Sequence, residues 1–299
     1  MPTRIAGIEL TWPAALVNIY RQNAAAIVGK GTIDGDGKVF WDSFSKLHDQ
    51  YQPKGLRWAA DYDAKRPHLI QVFESINIRL GGGLLLRCPG FWTVHVCYSD
   101  GVTIDNVAVR NSEDGDGPST DGINIDLSRN VLVQHTDISA NDDALALKAG
   151  RDADGLQVNR ATENVVFRYS IVRAGRAGIT FGSETSGGFR NIEFHDISVE
   201  GRSRSASCSI RPTHAEAGPR TFAPTISRWP MCPPYCKLEL VPSVQLRPNP
   251  SLQRQLSSLL ERHGHAGACR EGQDEHSRRK NLVPQGYRHQ SRVRGGWLF

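Results

Sequence analysis

The acidic residues with the most chemical potential lie in one window of the chain. It runs Ser119-Thr120-Asp121-Gly122-Ile123-Asn124-Ile125 and resumes as Asn141-Asp142-Asp143-Ala144-Leu145-Ala146-Leu147-Lys148. Asp121 and Asp143 are 22 residues apart. If that interval is one turn of a stacked-strand fold, the two carboxylates stand on neighbouring parallel strands, about 4.8 Å apart at the backbone. Asp142 stands beside them. Three carboxylates on one wall repel each other, so at least one holds its proton to higher pH. That separation is what a general acid and a general base need if both are to work at one pH. Neighbouring side chains on a regular strand point to opposite faces, so Asp142 and Asp143 can share a cleft only across a kink or bulge. The competing reading is that all three aspartates cap turns, a common role for a side chain that accepts backbone hydrogen bonds. That reading holds for Asp34, Asp36, Asp114 and Asp116, whose Asp-Gly-Asp-Gly segments lack the other ligand positions of a calcium loop. Gly29-Lys30-Gly31 with Gly35 is not a dinucleotide fingerprint, since no βαβ unit follows.

The elements that must position these groups read as many short strands. Val102-Thr103-Ile104, Val131-Leu132-Val133, Val165-Val166-Phe167 and Ile192-Glu193-Phe194 follow Gly101, Asn130, Asn164 and Asn191. Seven positions on, each has another apolar residue: Val109, Ile138, Val172 and Val199. A weaker copy begins at Ser75-Ile76-Asn77-Ile78. Counted from Ile76, the starts are 26, 29, 34 and 27 residues apart. Self-similarity at this period is a solenoid signature. With no helical pattern between the strands, it predicts an all-β, right-handed parallel β-helix whose coils bury their apolar faces only by stacking. Asn and Gly before each strand suit corners that need a left-handed residue. An antiparallel β-sandwich is the alternative.

The composition divides the chain. Its 299 residues carry a formal net charge of +5, yet residues 1–200 hold 20 Lys and Arg against 25 Asp and Glu. Residues 201–299 hold 16 against 6, with 10 of the 16 prolines and 4 of the 6 cysteines. A basic surface for nucleic acid is therefore not a property of the repeat region. The sequence predicts a β-helix domain over 1–201 and an irregular or disordered basic tail over 202–299, foreign to the fold. An out-of-frame reading of the gene past the break would produce such a tail. One short helix is expected there, Leu252 to Leu260. The Cys232–Cys236 spacing, without a matching second pair, does not make a zinc site. No apolar run reaches the ~18 residues of a membrane span. Met1–Gly7 has no apolar core and does not read as a secretion signal.

The ordered series Gly29-Lys30-Gly31-Thr32-Ile33-Asp34-Gly35, Arg66-Pro67, Gly90-Phe91-Trp92-Thr93-Val94-His95, Ser119-Thr120-Asp121-Gly122, Asn141-Asp142-Asp143 and Gly182-Ser183-Glu184 resembles glycoside hydrolase family 28, the polygalacturonase and rhamnogalacturonan hydrolase family, in a bacterial form. The resemblance runs from about Arg4 to Gly201. It implies a right-handed parallel β-helix that hydrolyses pectic polysaccharide with inversion. It implies that Asp142 protonates the glycosidic oxygen and that Asp121 and Asp143 activate the attacking water. It also implies no cofactor and no metal, a pectic partner rather than nucleic acid or membrane, a monomer, and a family that is usually exported. Arg176, Lys148, Glu184 and His95 are the expected substrate-binding residues. Three of them have a plainer alternative: Lys148 as a solvated strand-end cation, His95 as a packed, hydrogen-bonded histidine, Glu184 as a partner for backbone groups. Trp41, Trp58 and Trp92 stack on sugar rings or pack as core.

The sequence departs from the family pattern in three places. Gly175-Arg176-Ala177 stands where the family commonly has Gly-His-Gly, and an arginine does not exchange protons near neutral pH, though it can hold a carboxylate. The Arg-Ile-Lys triplet expected soon after Gly201 is missing. So are the secretion signal and a first coil. The alternatives are therefore a truncated homologue without activity, which binds pectin weakly at most, and a calcium-dependent β-helix lyase.

Overall fold

In the computed structural model, residues 1–111 and 115–199 are described in full, apart from the side chains of Arg57 and Trp58, along with the backbone of two further strands. Residues 1–243 form one compact unit, and the second unit, 244–299, lies outside the described residues. So does most of the expected tail, including the helix expected at Leu252–Leu260.

The strands are β1 (Pro2–Ile5), β2 (Ile8–Thr11), β3 (Val17–Tyr20), β4 (Ala26–Val28), β5 (Thr32–Asp34), β6 (Ile70–Phe73), β7 (Ile76–Arg87), β8 (Val94–Cys97) and β9 (Asp100–Arg110). They continue as β10 (Ile123–Asp126), β11 (Arg129–Gln134), β12 (Asp137–Ser139), β13 (Leu145–Lys148), β14 (Thr162–Ala174), β15 (Ile179–Gly182), β16 (Phe189–Val199), β17 (Cys208–Arg211) and β18 (Tyr235–Leu240). They stack as a right-handed parallel β-helix. One sheet has the order β17-β15-β13-β10-β8-β6-β3, the other β18-β16-β14-β11-β9-β7-β4. All pairs in these sheets are parallel except β16 with β18. β1 and β2 form an antiparallel hairpin. β17 adds to β15 beyond the expected break at residue 201.

Register explains the core. Val72, Val96, Ile125, Leu147 and Phe181 pair in sequence across one sheet, and all are completely buried. Ile78, Val102, Val131, Val165 and Ile192 form a matching column on the other. Each such side chain contributes about 1.5–3 kcal/mol by leaving water, but only because the next coil covers it.

The corner residues follow the expected chemistry. Asn77, Gly101, Asn130, Asn164 and Asn191 all have positive φ, between 51° and 70°. Their side-chain amides form a ladder: Asn191 Nδ2 donates to Asn164 Oδ1 at 2.8 Å, and Asn164 Nδ2 to Asn130 Oδ1 at 2.9 Å. This corner also corrects the first repeat. Ile78, not Ile76, pairs with Val102, because Asn77 holds the left-handed position stacked on Gly101.

Helices interrupt the solenoid, contrary to expectation. α1 (Lys38–Tyr51) and α2 (Arg57–Asp63) lie between β5 and β6, and α3 (Asp152–Val158) lies after β13. The first insertion lengthens one coil so much that Val17 pairs with Ile70. It also hides an earlier coil, β3 to β5, from a search for repeats of 22 to 34 residues.

Candidate active site

The expected 22-residue coil is present. Ile123 pairs with Leu145, so Asp121 and Asp143, each two residues before its strand, fall at one position on adjacent turns. The backbone ladder runs through them: Thr93 N–H donates to Asp121 O and Gly122 N–H to Asp143 O, both at 2.9 Å. Arg176 N–H donates to Asp142 O at 2.7 Å, which places Arg176 on the next coil. Asn141 and Asp142 lie in a bend outside β13. That bend breaks the strand alternation, and Asp142 and Asp143 both line one cleft with Asp121. The kink the sequence required is therefore there.

The cleft has a volume of about 620 Å³. Its floor is Trp92, Lys148 and Glu184. Trp41, Phe44 and His48 of α1, Asp61 and Tyr62 of α2, residues 115–119, and Ile5 and Ala6 of the hairpin form its walls. The helical insertion is the part of the site that the strand pattern did not reveal. Its signal was present in Trp41, Phe44, His48 and Tyr51, which recur at helical spacing.

Burial governs the electrostatics. Asp121 and Asp143 are 5% exposed. Desolvation pushes the Asp121 carboxyl well above the ordinary aspartate value, and the charges of Asp142 and Asp143 add to it, while Lys148 and the polar side chain of Asn124 pull it back. Lys148 is buried, not solvated as one reading supposed. Its ammonium donates to Glu184 Oε2 at 3.0 Å and lies 4.9 Å from the centre of the Trp92 ring. Burial alone would lower the Lys148 ammonium, but Glu184, Asp121 and Asp143 outweigh it and hold the proton more tightly than usual.

Arg66, of the Arg66-Pro67 motif, organises the cleft wall. Its guanidinium lies 4.1 Å from the centre of the Phe44 ring and 4.5 Å from that of Phe91. It donates to Asp61 Oδ1 at 3.0 Å and to Pro118 O at 2.6 Å, fixing the loop that delivers Asp121. Burial pulls its pKa down to about 10, against the raising effect of Asp61, Asp121 and Asp142.

Of the expected substrate-binding residues, Lys148, Glu184 and Arg176 line the cleft. Arg176 stands at the rim with its side chain 53% exposed and Nη1 3.9 Å from Asp142 Oδ2. His95 does not reach it. It is completely buried behind Trp92, with ring centres 4.9 Å apart, on the face of β8 beneath the β1–β2 hairpin. Nor is it hydrogen-bonded; its Nε2 lies 3.5 Å from Asp126 Oδ2. Trp41 and Trp92 line the cleft, but both are at least nine-tenths buried, and Trp41 Nε1 donates to Pro89 O at 2.9 Å. Trp58 lies outside the described side chains. Asp34 does cap a turn, accepting from Asp36 N–H at 3.0 Å.

These features can be set beside known proteins. Residues 7–217 match the sequence model of glycosyl hydrolases family 28. A probable polygalacturonase of Vitis vinifera is 32% identical over 168 residues, 56% of this chain and 31% of the relative. An endo-polygalacturonase of Pectobacterium carotovorum is 32% identical over 195 residues, 62% of this chain and 43% of the relative. Among solved structures, a hyperthermoactive exopolygalacturonase from Thermotoga maritima superposes with a TM-score of 0.58 at 26% identity, covering 67% of this chain and 50% of that one. The chain thus spans between about a third and a half of these proteins' length. The match covers well over half of the chain, including the coils that carry Asp121, Asp142, Asp143 and Glu184, and it places the chain in glycosyl hydrolases family 28.

Proposed function

We propose that this chain hydrolyses glycosidic bonds in the galacturonic-acid-containing backbone of pectic polysaccharide, with inversion. The observation that carries the proposal is the convergence of Asp121, Asp142 and Asp143 on one cleft from two adjacent coils. Asp142, more exposed than the other two and at the open side, donates its proton to the glycosidic oxygen as the C–O bond breaks. Asp121 and Asp143, deeper in the cleft, take a proton from a water that attacks the opposite face of the sugar. An inverting enzyme needs this division, with its carboxyls about 6.5–9.5 Å apart to leave room for the water. The raised proton affinity of Asp121 makes it a stronger base once ionised.

Lys148 is proposed to act from below. It offsets enough of the carboxylate charge for a basic oxygen to persist in a buried site. Arg176 is proposed to hold the uronate carboxylate at the rim, where a planar guanidinium suits a bidentate anion. Glu184 supports the site by fixing Lys148.

Reducing-sugar release from polygalacturonate tests the reading. Wild-type chain should release sugar, and Asp142→Asn should lose at least about 100-fold, the usual share of general acid catalysis. A folded wild-type chain with no activity would instead support the binding-only homologue. An ultraviolet-absorbing product abolished by chelator would support the lyase.

A further inference from the structure

Beside the cleft floor, on the outer face of β8 and β10 and in register with Lys148, a second group of side chains has no role in the proposed hydrolysis. His95 and Cys97 are two residues apart on β8 and project from the same face. Asp126 on β10 pairs in register with Cys97. His95 and Cys97 are 0% exposed and Asp126 is 1% exposed. One donor atom from each lies within 4.8 Å of the other two. Neither ring nitrogen of His95 and neither carboxylate oxygen of Asp126 has a hydrogen-bond partner. Apart from the 3.5 Å approach of His95 Nε2 to Asp126 Oδ2, these atoms are unmatched, and burying such groups costs roughly 2–7 kcal/mol each.

We infer that His95, Cys97 and Asp126 form a binding site for a zinc-like divalent transition metal ion. The donor set is one nitrogen, one thiolate sulfur and one carboxylate oxygen, the mixture that zinc accepts. Four-coordinate zinc holds its donors roughly 3.3–3.8 Å apart, a closure of about 1 Å from the observed spread. The ligands sit on two hydrogen-bonded strands, so the backbone fixes their spacing. With thiolate and carboxylate bound, the ion's charge is cancelled inside the protein. Arg4 approaches Asp126, but its guanidinium is already engaged by Asp154, Glu9 and Tyr98. On binding, the Cys97 thiol gives its proton to solvent and a metal–sulfur bond forms. His68, whose ring centre lies 4.9 Å from that of His95 and whose nitrogens are also unpartnered, packs beside the cluster, and the fourth position is left to a water.

Cobalt is the probe, because a thiolate–Co²⁺ bond gives an ultraviolet charge-transfer band and tetrahedral Co²⁺ a visible one. Full-length chain produced with Co²⁺ and dialysed should retain one ion per chain and show both bands. Cys97→Ser and Asp126→Asn should each lose them. Zn²⁺ at about 100 times its Kd should raise the Tm of the wild type by about 5–10 °C and leave that of Cys97→Ser unmoved. The five other cysteines of the chain can bind cobalt too, and Cys97→Ser retains them. Bands unchanged in Cys97→Ser would therefore assign the metal elsewhere and overturn the inference. If Asp126→Asn does not fold, the wild type still decides. No retained cobalt and no zinc-dependent Tm shift would mean that ordered water, not metal, meets these groups.

Discussion

Lys148→Met tests the electrostatic architecture most severely. The ammonium and the Glu184 carboxylate are 3.0 Å apart, with side chains 7% and 5% exposed. At an effective dielectric near 20, such a pair attracts by about 5 kcal/mol before desolvation is counted. Removing one partner of a buried pair typically costs about 3–5 kcal/mol, because the other charge is stranded. Lys148→Met should fall at the upper end, since it strands Glu184 and also deprives Asp121 and Asp143 of their cation. Glu184→Gln should cost less, as Lys148 keeps those two neighbours. The double variant should be more stable than the sum of the single losses predicts, by at least about 1.5 kcal/mol, a coupling typical of groups in direct contact. Urea unfolding of the four proteins at neutral pH measures this cycle. The pH dependence has a fixed sign. The folded-state pKa of Asp121 is raised, so its ionisation lowers stability as pH rises from the ordinary aspartate value through the folded one. Loss of Lys148 enlarges that penalty, so the deficit of Lys148→Met should shrink near pH 4. Additivity within about 0.5 kcal/mol, or a deficit independent of pH, would refute the coupled-site reasoning.

Three other outcomes follow from the same structure. Asp121→Asn should abolish hydrolysis yet stabilise the fold at neutral pH, with the gain vanishing below the ordinary aspartate pKa; paired Tm values at pH 3.5 and 7 check it. Asn164→Ala should be less stable than Asn164→Gly by about 1–2 kcal/mol in urea unfolding, since both lose the amide ladder but only alanine is strained at φ 54°. Arg66→Met should free the Pro118 carbonyl and loosen the loop before Asp121, which kinetics on polygalacturonate would show as a fall in kcat exceeding any change in KM.

Much of the site was legible because a stacked fold writes its geometry into sequence intervals. The 22-residue step from Asp121 to Asp143 is the coil itself, and the residues before each strand named the left-handed corners. The two-residue slip at Ile76 arose because apolar residues two apart on a strand look alike, and only the corner residue, Asn77, breaks the tie. Burial was harder to read. Lys148 looks like a solvated strand end until the third dimension supplies Glu184 and Trp92 from other coils. His95 lies in a motif that runs to the cleft and shares the outer face of Lys148, yet Trp92 covers it. The α1 wall was missed because its helical spacing fell inside a chain dominated by period-two strands.

The central claim is that Asp142 works as an acid while Asp121 and Asp143 deliver water from the opposite side. Proton NMR of the first sugar released from an α-linked galacturonan, taken before mutarotation, tests it most directly. The β anomer is expected at the new reducing end. An initial α anomer, or product formed equally well by Asp142→Asn, would contradict it.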